Sequence, residues 1–161
     1  MADTPNPEMP VLVLQGGGAL GAYQGGAYEQ LAVNDFRPEW VAGVSIGAIN
    51  AAIIAGNLPG NRRAKLRSFW EMVSATLASP APDAESPLRP LFSDYAAMSA
   101  LMFGIPGFFE PRRFPLLPFD DPPLSVYDTA PLRKTLLEHV DFDVLNHGDI
   151  RLSLGAVDVE S

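Results

Sequence analysis

Gly43-Val44-Ser45-Ile46-Gly47 is a G-x-S-x-G pentapeptide set between two apolar runs, Trp40 to Val44 and Ile46 to Ala55. Such a pentapeptide does chemistry when it forms a sharp strand-to-helix turn that exposes the serine hydroxyl. Small residues two before and two after the serine let the turn close and let the helix approach the sheet. The helix N-terminus then adds a partial positive charge beside a nucleophile that develops negative charge. Upstream, Gly16-Gly17-Gly18-Ala19-Leu20-Gly21 directly follows the run Val11-Leu12-Val13-Leu14. With the two motifs behind adjacent strands of one sheet, both lie at its carboxyl edge. The amides of Gly17 and Gly18 then face Ser45 as an oxyanion hole, and the pair points to acyl transfer through serine.

Read literally, the glycine loop also satisfies G-x-G-x-x-G, which alone is a weak signal. A dinucleotide site needs an acidic residue at the carboxyl end of the second strand to hold the ribose. Glu39 stands at the start of that strand, and its end carries Val44 and Ser45. No Gly-Lys-Ser/Thr follows the loop, so a phosphate-binding P-loop fails as well.

The elements that must position these residues follow from pattern. Val11–Leu14 is a short apolar run with two β-branched residues, which reads as a strand buried on both faces. From Ala19 to about Asn34 the pattern is helical, with Tyr23, Ala27 and Leu31 on one stripe. Trp40–Val44 is a second buried strand and Ile46–Ala55 a second apolar helix, stopped by Gly56 and Pro59-Gly60. The order β–α–β–α predicts parallel strands with a right-handed crossover. Asn61 to Leu77 is an amphipathic helix with Leu66, Phe69, Trp70, Val73 and Leu77 on its stripe. Arg62, Arg63, Lys65 and Arg67 near its start form a solvated face, or else a contact for phospholipid headgroups.

Between Pro80 and Pro123 lie ten of the sixteen prolines and six phenylalanines: Phe92, Phe103, Phe108, Phe109, Phe114 and Phe119. Proline removes amide donors and fixes φ, so this stretch is expected to be irregular, apart from one helix over Ser93–Phe103 that carries Met98 and Met102. It reads either as a lid or acyl-chain channel or as aromatics packed on the core. Thr129 is placed to cap a helix running to His139, and Ile150–Val159 is a third strand.

The chain has 161 residues, 47% hydrophobic and 19% charged, the composition of a globular domain. Its formal net charge of −8 argues against a polyanion-binding module, so nucleic acid is excluded as a partner. The absence of cysteine excludes disulfides, a zinc ribbon and a thiol nucleophile, and two histidines make a His/Cys metal site improbable. No metal and no cofactor is expected. Residues 1–10 read as a flexible, acidic, Pro-rich leader, unlike a signal peptide. A cytoplasmic location is the default expectation, with peripheral contact at membranes.

The two glycine motifs, some two dozen residues apart, resemble those of the patatin-like phospholipase family. The likeness is close over Val11–Gly56 and returns in Gly155-Ala156-Val157-Asp158-Val159-Glu160. It implies a three-layer α/β/α fold with a mainly parallel central sheet, incomplete here at the C-terminus, over residues 11–161 with an insert at about 80–123. It implies hydrolysis of lipid acyl esters by a Ser–Asp dyad, with Ser45 as nucleophile and Gly16, Gly17 and Gly18 as the oxyanion loop. Gly21, Gly43 and Gly47 are the remaining motif glycines. Leu20 stands where the family often has a basic residue.

The family's base is an Asp followed by Gly-Gly or Gly-Ala, and this sequence contains no Asp-Gly dipeptide. Asp158 has the wrong neighbours for that role. The reading is therefore of an amino-terminal portion whose base comes from the missing C-terminal half of the domain or from another chain. These 161 residues alone are expected to be catalytically silent and marginally folded, since a serine without a base is a poor nucleophile. Two rivals stay open. One is an ordinary α/β-hydrolase triad, with Asp128, Asp141 or Asp143 and His147, or Asp128 and His139. The other is a lipid-binding or interaction module that keeps the pocket without the base.

Overall fold

The computed structural model describes residues 9–75, 83, 85–90, 93, 105, 107–112 and 127–157. The chain divides into two compact units, Met1–Trp70 with Leu137–Ser161, and Glu71–Leu136. The first holds a parallel sheet of β1 (Val11–Leu14), β2 (Trp40–Val44) and β5 (Arg151–Gly155), in the order β1-β2-β5. A single 3-10 turn at Gly18–Leu20 leads into α1 (Gly21–Val33), which connects β1 to β2. After β2 come α2 (Ile46–Ala55) and α3 (Pro59–Ser74). Before β5 lie α4 (Ala130–His139) and α5 (Phe142–His147). This is the α/β class read from the β–α–β–α pattern, and the strand and helix around Ser45 have the bounds the sequence predicts.

Register fixes the faces. Leu12 pairs with Val41 and Leu14 with Gly43, while Val13 pairs with Ala42 and Val11 with Trp40. Leu14 and Val41 are buried beneath α2, whose Ile53, Ile54 and Ala51 have no exposed surface. Each of the Leu, Val and Ile side chains contributes about 1.5–3 kcal/mol by leaving water. Successive right-handed crossovers in one direction put α1 and α2 on the same side of the sheet. The opposite face carries Val11, Val44 and Val13, the last 73% exposed. Burial of β1 on both faces, expected from its unbroken apolar run, is thus not met; among the described residues helices cover one face. At the opposite end of this face from Val44, Trp40 pairs with Arg151, donates through Nε1 to Ser153 Oγ at 3.0 Å and lies under the Arg151 guanidinium.

Helix α1 corrects a second expectation. Its Tyr23–Ala27–Leu31 stripe is exposed, Tyr23 at 81%, and its buried residues are Gly21, Gly25 and Tyr28. A Cβ on Gly21 would fall 2.5 Å from Ile46 Cγ1 and 2.6 Å from Trp70 Cζ2, so the helix buries its glycines in order to pack closely. Helix α3 begins at Pro59, earlier than predicted, because proline suits the first helical position, where no amide partner exists. Its Leu66 and Phe69 are buried as the stripe requires, whereas Leu77 lies outside the described residues.

In the second unit, β3 (Glu110–Pro111) and β4 (Tyr127–Asp128) form a short antiparallel pair. Phe109 meets Tyr127 edge to face at 4.9 Å and Phe108 at 5.7 Å. Gly107, at φ 73, offers its carbonyl to Thr135 Oγ1 at 2.6 Å. The predicted helix over Ser93–Phe103, with Met98 and Met102, lies outside the described residues except for Ser93, as do Phe92, Phe114 and Phe119. Thr129 is not the side-chain cap of α4: Asp128 Oδ1 takes the amide of Ala130 at 2.9 Å. Thr129 enters the helix through its backbone, its carbonyl accepting the Arg133 amide at 3.3 Å.

Candidate active site

Ser45 joins β2 to α2 with φ 55 and ψ −126, a left-handed backbone that a side chain adopts at a cost of about 1–3 kcal/mol. The strain is held by glycines. A Cβ on Gly43 would run into the backbone of Gly47, and one on Gly47 into the carbonyls of Leu14 and Gln15. Three backbone segments therefore meet around the turn at distances no other residue permits. The turn lifts Ser45 to the surface, and its hydroxyl makes no hydrogen bond to any described residue.

The glycine loop lies alongside. Leu14 pairs with Gly43, so the residues after β1 run past the residues after β2. A Cβ on Gly16 would sit 3.3 Å from Ser45 Cβ and 3.9 Å from its Oγ. Gly17 has φ 147 and Gly18 has φ 55, both in glycine territory. The amides of Gly17, Gly18 and Ile46 meet no acceptor among the described residues. Leu20 donates its amide to the Gly17 carbonyl at 3.2 Å and is exposed, its side chain beside Gly17. Free donors, an exposed hydroxyl and a helix N-terminus thus converge at one sheet edge, an arrangement suited to stabilising a developing oxyanion.

Other chemistry-bearing residues sit elsewhere. Asp141 caps α5, its carboxylate accepting the amides of Asp143 and Val144, and its own amide bonds the Gly56 carbonyl at the far end of α2. His147 Nδ1 contacts the Asp143 carbonyl at 3.1 Å. His139 is buried against Phe69, ring centroids 6.1 Å apart. Ten residues of α2 put roughly 15 Å between that end and Ser45, so Asp141, Asp143, His139 and His147 form no triad with it. Asp128 serves the cap of α4. Three of the four basic residues opening α3 have partners other than Ser45. Arg62 donates to the Asn57 carbonyl, Lys65 to that of Glu138, and Arg67 pairs with Glu29. Burial pushes the Tyr28 phenol up, against the opposing pull of Arg62. Asp158 lies outside the described residues.

Residues around the site that motif reading passes over are Asn50, Gln24, Gln15 and Trp70. Asn50 is the one polar side chain buried in α2, and it bonds to α1 and α3. An Asn in an apolar helix carries a signal in hindsight, because a buried amide must find partners.

Among the described residues there is no cluster of three or more His, Asp or Glu able to hold a metal, and no helix long and apolar enough to cross a membrane. The family model described as patatin-like phospholipase matches residues 12–159. No curated protein and no solved structure shows a match.

Proposed function

The chain belongs to the patatin-like phospholipase family, a family of lipid acyl hydrolases, and from that premise we propose that Ser45 is the nucleophile of a serine acyl hydrolase acting on lipid esters. The observation that carries the proposal is Ser45 held exposed at φ 55, with Gly16 against its side chain and unfilled amides beside it. In the reaction, Ser45 Oγ attacks the ester carbonyl carbon while its proton passes to an aspartate. The tetrahedral oxyanion takes the amides of Gly17 and Gly18. Collapse breaks the bond to the alcohol, which leaves with that proton, and water then hydrolyses the acyl-enzyme to a free acid. Gly21, Gly43 and Gly47 take no part in bond making; they permit the close backbone approaches on which the turn depends. The aspartate of this dyad is assigned to residues beyond these 161, since no Asp-Gly dipeptide is present and no described acid bonds Ser45. The same observation favours a second reading, a lipid-binding module that retains the site without turnover.

The test is Ser45→Ala in the protein as its gene encodes it, with p-nitrophenyl butyrate hydrolysis and fluorophosphonate labelling as readouts. Turnover is expected to fall by about 10³ or more. Undiminished hydrolysis in the variant overturns the assignment. Saturable binding of phospholipid vesicles with no release of fatty acid supports the second reading instead.

A further inference from the structure

The helix that starts at Ser45 is apolar except at Asn50, which has 0% exposed surface. A buried amide is retained when each of its groups is bonded. Here Trp70 Nε1 donates to Asn50 Oδ1 at 3.0 Å. An indole N–H can only donate, so this bond fixes which end of the amide is oxygen. Asn50 Nδ2 therefore points the other way, donating to the Gly21 carbonyl at 3.0 Å and to Gln24 Oε1 at 3.2 Å. Gln24 Nε2 donates in turn to the Gln15 carbonyl at 2.8 Å. Gln15 immediately precedes the glycine run and Gly21 closes it. Both ends of the loop are thus tied to the fifth residue after Ser45.

We propose that Asn50 and Gln24 are positioning residues that clamp the two ends of the Gly16–Leu20 loop at a fixed distance from Ser45. The proposal rests on the reading of Ser45 as nucleophile. The loop needs such a device, because Gly17 and Gly18 stand at positive φ and a glycine run has the most conformational freedom to lose. Within the loop the bond from the Leu20 amide to the Gly17 carbonyl spans three residues and leaves the ends untouched. Anchoring the ends to α2 makes the nucleophile and the unfilled amides move as one body. Neither Asn50 nor Gln24 touches the reacting atoms; their effect passes through the placement of Gly16–Gly18, and misplacement by about 1 Å can lower a rate about 100-fold.

Asn50 lies where three helices meet, so replacing it threatens the fold, and Gln24, half-buried on α1, carries the test. Gln24→Met removes both of its bonds while keeping length and helix propensity. Gln24→Glu keeps the acceptor for Asn50 and loses the donor to Gln15. In both variants of the protein as its gene encodes it, amide hydrogen exchange of Leu20, the bonded amide of the loop, is expected to rise about tenfold, with exchange in β2 and α2 unchanged. Turnover of p-nitrophenyl butyrate is expected to fall about tenfold in kcat, with KM within about twofold. Unchanged exchange of the Leu20 amide overturns the clamp. So does a uniform rise across the whole first unit, which marks a merely structural role. The exchange measurement decides the clamp whether or not the protein hydrolyses esters, and Ser45→Ala, which leaves all these bonds intact, decides the hydrolase reading separately.

Discussion

At the carboxyl edge of the sheet, Ser45 stands at φ 55, the amides of Gly17, Gly18 and Ile46 have no described acceptor, and the serine hydroxyl makes no described bond. At the amino edge, each strand start is stitched to the next: Glu39 donates to the Pro10 carbonyl at 3.0 Å and Arg151 to that of Glu39 at 2.9 Å. There the α2 C-terminus is closed by Asn57, whose Nδ2 bonds the carbonyls of Ile53 at 2.8 Å and His139 at 2.7 Å. The Asp141 carboxylate fills the first amides of α5. Each edge holds one non-glycine residue at positive φ, Ser45 at one and Asp35 at the other, but the carboxyl edge leaves donors open where the amino edge bonds these polar groups. Ligands of parallel α/β sheets bind at the carboxyl ends of strands. The contrast shows how this chain prepares that end while the opposite end holds the structure.

The contrast can be broken with three substitutions, each read by urea unfolding and by fluorophosphonate labelling of Ser45. Gly47→Ala has the largest expected effect: its methyl group would collide with the Leu14 carbonyl, costing about 3 kcal/mol and abolishing labelling. Asn57→Ala leaves two buried carbonyls without their shared donor and should cost about 2 kcal/mol while the labelling rate of the folded fraction stays unchanged. Asp141→Ala removes a helix cap and should cost about 1 kcal/mol, again with labelling intact. A change in Ser45 reactivity with either amino-edge variant would erase the division between the edges.

The stretch Val11–Ala55 was the most legible, because strand length, glycine position and helix pattern there all agree. What remained hidden has physical reasons. A glycine contributes nothing to an apolar stripe, so the stripe of α1 marks a different face from the one that packs on Ile46 and Trp70. An unbroken apolar run signals burial without saying on how many sides, and Val13 shows that one covered face suffices. At the site, the G-x-S-x-G turn declares itself through residue type, since only small residues close it. The bonds of Asn50 and Gln24 depend on contacts between helices that no local pattern encodes.

The sheet also has a consequence for the route by which the chain folds. The Asn50–Gly21 bond joins residues 29 positions apart, whereas the Trp40–Ser153 bond beside β5 spans 113. Chain-closure entropy grows with the logarithm of that separation, so bringing β5 home costs about 1 kcal/mol more than closing the local unit. Low contact order favours early assembly of Val11–Ala55, with its crossover and elbow, ahead of the arrival of β5. The residues around Ser45 thus belong to the part of the chain that loop closure allows to form first, and a ribosome exposes them before the strand that will flank them.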